Sequence, residues 1–214
     1  LKVKSVSLSR SKTAAEIDLF EGIVVPRSAR AKIKENVGEY LVTEVNRYLA
    51  EQKSPVNGRT FKRLSTPYAA EKKEEVGNTD ANLELTGSMR DQIDYRMTGS
   101  GIEFGVFGTS APKADGHNNL SGESTLPLRQ FIPGEGQSFT PQIRKDIAEI
   151  IRSTIADEAD LTAEDFEQVK SKTELYSVLG QVFQGLSRQA LRETVLGSES
   201  LVQAMTRAGV LDLL

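Results

Sequence analysis

The chain has 214 residues, no cysteine, and a net charge of −3 from 27 Lys and Arg against 30 Asp and Glu. This length buries a core without covalent staples, and the missing cysteines exclude a disulfide scaffold, thiolate catalysis and Cys-ligated metal sites. No apolar run approaches the roughly 20 residues of a membrane span, and the opening residues lack the basic-then-apolar pattern of a secretory signal. A soluble chain without a membrane partner is therefore expected, in a reducing cytoplasm or in a disulfide-free exported particle. The charge is uneven: residues 1–80 carry 15 Lys/Arg against 11 Asp/Glu, and residues 81–214 carry 12 against 19. Neither part has the clustered basic stripe of a tight nucleic-acid binder.

The first residues mix Lys and Ser with Val3, Val6 and Leu8, which fits either an edge strand or an arm that orders against something else. Residues 16–25 carry Ile17, Leu19, Phe20, Ile23, Val24 and Val25 and predict a strand that Pro26 ends. From Pro26 a helix is expected, because Ile33, Val37, Leu41, Val45 and Leu49 recur every four residues. Gly38 inside this stripe marks a close approach of helix and sheet, and Pro55 requires the helix to stop by Ser54. Asn57-Gly58 signals a turn, Phe61 and Leu64 anchor an otherwise exposed segment, and Thr66-Pro67 opens a short helix to about Glu75.

The segment from Asn82 to Gly108 organises the rest. Thr86, Gly87 and Ser88 form a turn, with a positive φ expected at Gly87. Ile93, Tyr95 and Met97 then alternate with Asp94 and Arg96. After a turn at Thr98 to Gly101, Ile102, Phe104 and Val106 alternate again. This pattern predicts an antiparallel hairpin with one face in a core and one in solvent. Residues 108–127 are small and polar without periodicity and read as a long loop, and residues 126–132, LPLRQFI, read as a returning strand. Thr140 then caps a helix with Pro141 in its first turn and Ile143, Ile147, Ile150, Ile151 and Ile155 on one face.

Beyond Ala156 the pattern is helical only. Asp157, Glu158 and Asp160 form an acidic link, Thr162 with Asp165 has the form of a capping box, and Phe166 to Leu186 predict one long amphipathic helix. Gly185 and Gly197 punctuate shorter pieces, the last capped by Ser198 and ending near Gly209. The apolar tail VLDLL is expected to be buried, on this chain or on a neighbour.

The fold class predicted is α+β: an antiparallel sheet packed against two amphipathic helices in a core domain of residues 1–156, with an all-helical extension over 157–214. The extension is expected to serve assembly rather than the core.

Chemistry is sparse. His117 is the only histidine, beside Asp115, and reads as a surface or interface residue of the polar loop. GxSxG, HExxH and P-loop patterns are missing, and the glycines around 99–108 do not open a helix as a dinucleotide turn must. The acidic residues 157–165 lack the ligand and Gly spacing of a calcium loop. No catalytic, cofactor-binding or metal-binding residue is assigned, and no cofactor is expected. Of the function classes open to such a chain, a hydrolase would have to use Ser88 or His117, and a binding module in the cytoplasm needs neither.

The order SPVNGRTFKRLSTPYAAEKK, LELTGSMRDQI, GVFGTSAPKADGH, LPLRQFIP and an amphipathic helix resembles the virion-morphogenesis family of tailed bacteriophages, the tail-completion or head-tail joining proteins. Leu85, Thr86, Gly87, Ser88, Met89 and Ile93 match its turn into a strand, Gly105 and Gly108 the glycines of the next strand, and Pro127, Arg129 and Phe131 its Pro-x-Arg-x-Phe segment. His117 matches the histidine of its Tyr-Ala-x-x-His loop, although Lys113, Ala114 and Asp115 stand where the Tyr-Ala pair would, and Phe61 replaces a tryptophan. The resemblance covers about residues 26–155.

It implies a non-enzymatic structural protein that closes into a ring of about six to twelve copies at the head-tail junction, through a heterologous interface. The implied partners are further copies of itself, portal or adaptor proteins and tail proteins, with genomic DNA passing through but not tightly bound. The implied location is the neck or tail of the virion, and the host cytoplasm during assembly. A channel-facing surface would then be neutral or acidic, with Lys62, Arg63, Lys72 and Lys73 turned to partner proteins.

Overall fold

The computed structural model describes residues 6–8, 13–20, 25, 27–81, 89–118, 127–159, 161–183 and 186–214. The turn at Thr86 to Ser88, with Gly87, lies outside the described residues, as do Gly185 and Asp160. The fold class is α+β, an antiparallel sheet with helices and a helical C-terminal part. The chain divides into two compact units. One, the sheet unit, comprises residues 3–19 and 38–144, and the other, the helical unit, comprises residues 1–2, 20–37 and 145–214.

In the sheet unit, strands β1 (Val6–Leu8), β2 (Ala14–Asp18), β3 (Ile93–Met97) and β4 (Gly101–Val106) pair antiparallel in the order β1-β2-β4-β3. The predicted hairpin is therefore present, with Tyr95 opposite Phe104 and Met97 opposite Ile102. The N-terminal residues 6–8 form an edge strand rather than an arm. Two expectations are corrected. The second strand occupies Ala14–Asp18 and does not run on through Leu19 and Phe20, because its ladder with β4 runs out where Asp18 meets Gly101 and the Leu19 amide closes it on the Ser100 carbonyl at 3.2 Å, while residues 21–24 of the expected strand lie outside the described residues.

In addition, β4 does not present one face to solvent: as an inner strand it is buried at every position except the half-buried Glu103. A side chain at Gly105 would collide with the backbone of Thr13 and Ala14 on β2, so only glycine lets the strands approach there. At the outer edge, the Thr98 and Gln92 bonds to β4 place the Tyr95 amide on the side away from the ladder, where the Asp94 carboxylate accepts it at 2.8 Å.

Helix α1 (Arg27–Ala50) has the predicted stripe, with Ile33, Val37, Leu41, Val45 and Leu49 buried. Its Gly38 lies against the Tyr95 ring, in the space a β-carbon would need, so the close approach of helix and sheet is real. After the turn at Gly58 (φ 71°) and the buried Phe61, helix α2 (Thr66–Val76) ends on a left-handed Gly77. Lys72 of α2 is not turned to solvent or to partners: it is 2% exposed and its ammonium donates to the Asp80 carbonyl at 2.5 Å.

The polar stretch after the hairpin is not a structureless loop, since it contains helix α3 (Ala111–Asn118). Residues 127–132 do not form the expected strand, because their backbone groups find other partners. The buried Asn118 amide oxygen accepts the Phe131 and Ile132 amides at 2.8 and 2.7 Å, and its NH2 donates to the Ala114 carbonyl at 2.9 Å. The Ser54 hydroxyl donates to the Gln130 carbonyl at 2.6 Å, and the Arg129 amide to the His117 carbonyl at 2.9 Å. Side chains thus satisfy a buried, extended segment that no sheet ladder serves. Phe131, Ile132 and Phe139 fill the core here, with Phe139 edge-on to Phe104 at 5.9 Å.

Helix α4 (Pro141–Glu158) begins as predicted at Thr140 and buries Ile143, Ile147, Ile151 and Ile155. In the helical unit, Asn36 donates to the Thr154 hydroxyl at 3.0 Å. The capping box is formed, with the Thr162 amide and hydroxyl both donating to Asp165 at 2.8 and 3.0 Å. It starts a single 3-10 turn (Ala163–Phe166) and not a long helix, because Ser171 caps a new helix, α5 (Lys172–Val182), through the Glu174 amide. Helices α6 (Arg188–Leu196) and α7 (Glu199–Arg207) follow, divided at Gly197 and each capped by a serine, Ser187 and Ser198. The apolar tail is only partly buried on this chain: Val210 and Leu214 are covered while Leu211 and Leu213 are half-buried, and the Leu214 oxygen accepts from Lys172 Nζ at 2.9 Å and the Tyr176 hydroxyl at 3.2 Å.

Candidate functional site

The sheet unit contains a cavity of about 650 Å³ lined by Lys62, Arg63, Leu64, Ser65, Tyr68, Lys113, His117, Pro127 and Arg129. Three stretches of chain build it, 62–68, 113–117 and 127–129. The segment behind Phe61 supplies the first two cations, the N-terminal turn of α2 supplies Ser65 and Tyr68, and α3 supplies Lys113 and His117. Asn118 then holds the segment 127–132 so that Pro127 and Arg129 face the same space. The clamp at Asn118 is thus what makes a pocket out of a stretch that reads as a strand.

Among the described residues the lining has four cations and no carboxylate. Arg129 is only 5% exposed, and its Nε has no hydrogen-bond partner. Burial lowers its pKa, and nearby Tyr68 opposes that shift. His117 Nδ1 is likewise buried and unpartnered. Burial, then the positive charges of Arg129 and Lys113, push its pKa down from 6.5 to about 4, against an opposing effect of the Pro127 carbonyl. The imidazole is therefore neutral at pH 7, and the field in the pocket is positive. The first turn of α2 adds the positive end of its backbone dipoles. An oxyanion fits such a site, with the buried guanidinium as its strongest donor.

His117 is accordingly neither in a loop nor a plain surface residue: it ends α3 and lines the pocket. As a general base it is badly placed, since its conjugate acid is too strong and no carboxylate orients Nδ1. Ser88, the other weighed nucleophile, lies outside the described residues. Among the described residues no group of three or more His, Asp or Glu side chains is arranged to hold a metal ion, and no helix is long and apolar enough to cross a membrane. No single stretch of the sequence announces the pocket. Its signal was present only as Arg129 and His117, two residues of the Pro-x-Arg-x-Phe and histidine motifs, which the chain brings to one place.

A family model, described as the phage virion morphogenesis family, matches residues 17–156. That span contains the last two residues of β2, the hairpin, helices α1 to α3, α4 up to Ala156, and every residue of the pocket. No curated protein and no solved structure matches the chain.

Proposed function

The chain belongs to the phage virion morphogenesis family, and we propose from this that it is a structural protein of the head-tail junction, a tail-completion or head-tail joining subunit that closes into a ring. Its coarser role, in the structure or assembly of a phage particle, follows from the family itself. The observation that supports the finer reading is the extent of the match, which takes in the hairpin of β3 and β4, helix α1, nearly all of α4 and every residue of the pocket. A ring needs two different patches on each subunit, one to meet the other on the neighbour. The basic pocket and the acidic C-terminal stretch are of opposite sign and supply such a pair. Structural work of this kind asks for no catalytic group and no cofactor.

Under this reading the partners are further copies, a portal or adaptor protein on the head side and a tail protein on the other, and the genome passes through without tight attachment. Negative-stain imaging with sedimentation of the purified protein tests it: rings of about six to twelve copies, alone or on portal, are the expected result. A monodisperse monomer that ignores portal and tail proteins would overturn it. Tight, salt-sensitive binding of duplex DNA would remove the passive channel from the reading.

A further inference from the structure

We propose that the basic pocket is a carboxylate receptor that takes an acidic side chain from the stretch 157–167 of a second copy of this chain. The inference rests on the reading that copies associate, and it names the chemistry by which they do so.

Arg129 is the first reason. A guanidinium that is 95% buried, given its 5% exposure, and unpartnered at Nε is costly unless something anionic arrives to satisfy it. Among the described residues no carboxylate lines the cavity, which leaves its cations for an anion brought by another molecule. The second reason is the wall. Leu64, Tyr68 and Pro127 line the cavity, and Leu128 beside them is 55% exposed. Apolar walls of this kind cover the stem of a side chain, whereas a bare inorganic anion makes no use of them. A duplex phosphate, fixed on a broad backbone, is also poorly shaped to reach a buried guanidinium.

The third reason is complementary charge. Between Arg152 and Lys170 the chain carries six acidic residues and no basic one. Within that stretch Asp165 is engaged by Thr162, and Asp157 accepts from Ser198 at 3.0 Å. Glu164 and Glu167 are exposed on and just after the 3-10 turn that the capping box fixes, so they are presented on an ordered element. Receptor and donor are different patches of one chain, which is what a closed heterologous ring requires.

The test combines charge exchange with a spectroscopic reporter. Lys113→Glu changes an exposed cation of the pocket, and Glu164→Lys with Glu167→Lys changes the donor. Each should weaken self-association about tenfold in sedimentation, and an equimolar mixture of the two variants should recover it. His117 is the only histidine, so its ring signals in NMR report on the pocket without assignment. A peptide copying residues 157–168 should shift them in the wild type and leave them unmoved in Arg129→Gln. Should Arg129→Gln fail to fold, Lys113→Glu serves the same comparison.

Rings that form equally well in all charge variants would overturn this inference while leaving the ring itself standing. A wild type that stays monomeric would instead overturn the ring reading, and the inference with it. His117 signals that answer to inorganic phosphate or a duplex oligonucleotide but not to the peptide would also overturn it, making the pocket a phosphate site.

Discussion

The two units of the chain are held together in different ways. In the sheet unit the decisive bonds join residues far apart in sequence: Ser54 reaches Gln130, Asn118 reaches Phe131 and Ile132, and β2 pairs with β4 across more than eighty positions. In the helical unit each short helix is started by a local bond, from Ser171 to Glu174, Ser187 to Ala190, Ser198 to Leu201 and Thr162 to Asp165, to which a few longer ones such as Asn36 to Thr154 and Ser198 to Asp157 are added. The first arrangement depends on single buried polar groups that have no substitute. The second spreads its stability over many small local terms, each worth about 1 kcal/mol. Damage of equal chemical size should therefore cost the sheet unit more.

The largest effect is expected at Asn118. Asn118→Leu leaves two buried backbone amides without an acceptor and should destabilise the protein by about 3 kcal/mol. Urea denaturation reads this as a lowered midpoint, and an unchanged midpoint would mean that the segment 127–132 is held by its apolar contacts alone.

A matched pair of glycines sharpens the contrast with one substitution. Gly105→Ala puts a methyl into the backbone of β2 and should cost about 2 kcal/mol, as overpacking of a close contact does. Gly180→Ala, in α5 with nothing within 4 Å of the new carbon, should stabilise the helical unit by about 1 kcal/mol. Equal signs in the two melting curves would dissolve the distinction between the units.

Ser198→Ala removes the cap of α7 together with the bond to Asp157, and about 1 kcal/mol is expected to go with it. Hydrogen exchange should place that loss in the helical unit and spare the amides of β2 and β4.

The smallest effect is a pH dependence. Folded His117 takes a proton only below about 4, whereas the unfolded ring does so from about 6.5. Between those values the unfolded chain binds more protons, so this contribution is full above pH 6.5, declines as the pH falls towards 4, and is constant below. Because the ring is partly exposed the effect is modest, and it shows best as a difference. From pH 7 to pH 5 the wild type should lose more stability than His117→Gln. Parallel losses would mean that the imidazole titrates normally.

The same division explains what could be read from the residues alone. Helices α1 and α4 were legible because Ile33 to Leu49 and Ile143 to Ile155 repeat at one spacing, and the hairpin because Ile93 to Met97 and Ile102 to Val106 alternate. Local caps at Thr162 and Ser198 were legible for the same reason, as each is a signal within four residues. Residues 127–132 were misread since their pattern fits a strand, and only the distant Asn118 and Ser54 decide otherwise. The break before α5 escaped because the apolar spacing from Phe166 runs through it, while Ser171 starts the helix afresh. The pocket was invisible as a pocket: Lys62, Lys113, His117 and Arg129 lie on stretches that meet only in the folded sheet unit.

One detail of the sheet bears on how its outer edge avoids unwanted pairing. Exposed strand edges recruit other strands indiscriminately. At the β3 edge the outward amide of Tyr95 is already taken by the Asp94 carboxylate. A strand arriving from a neighbour would meet a negative charge and forfeit a donor. At this position the edge is a poorer template for an added strand.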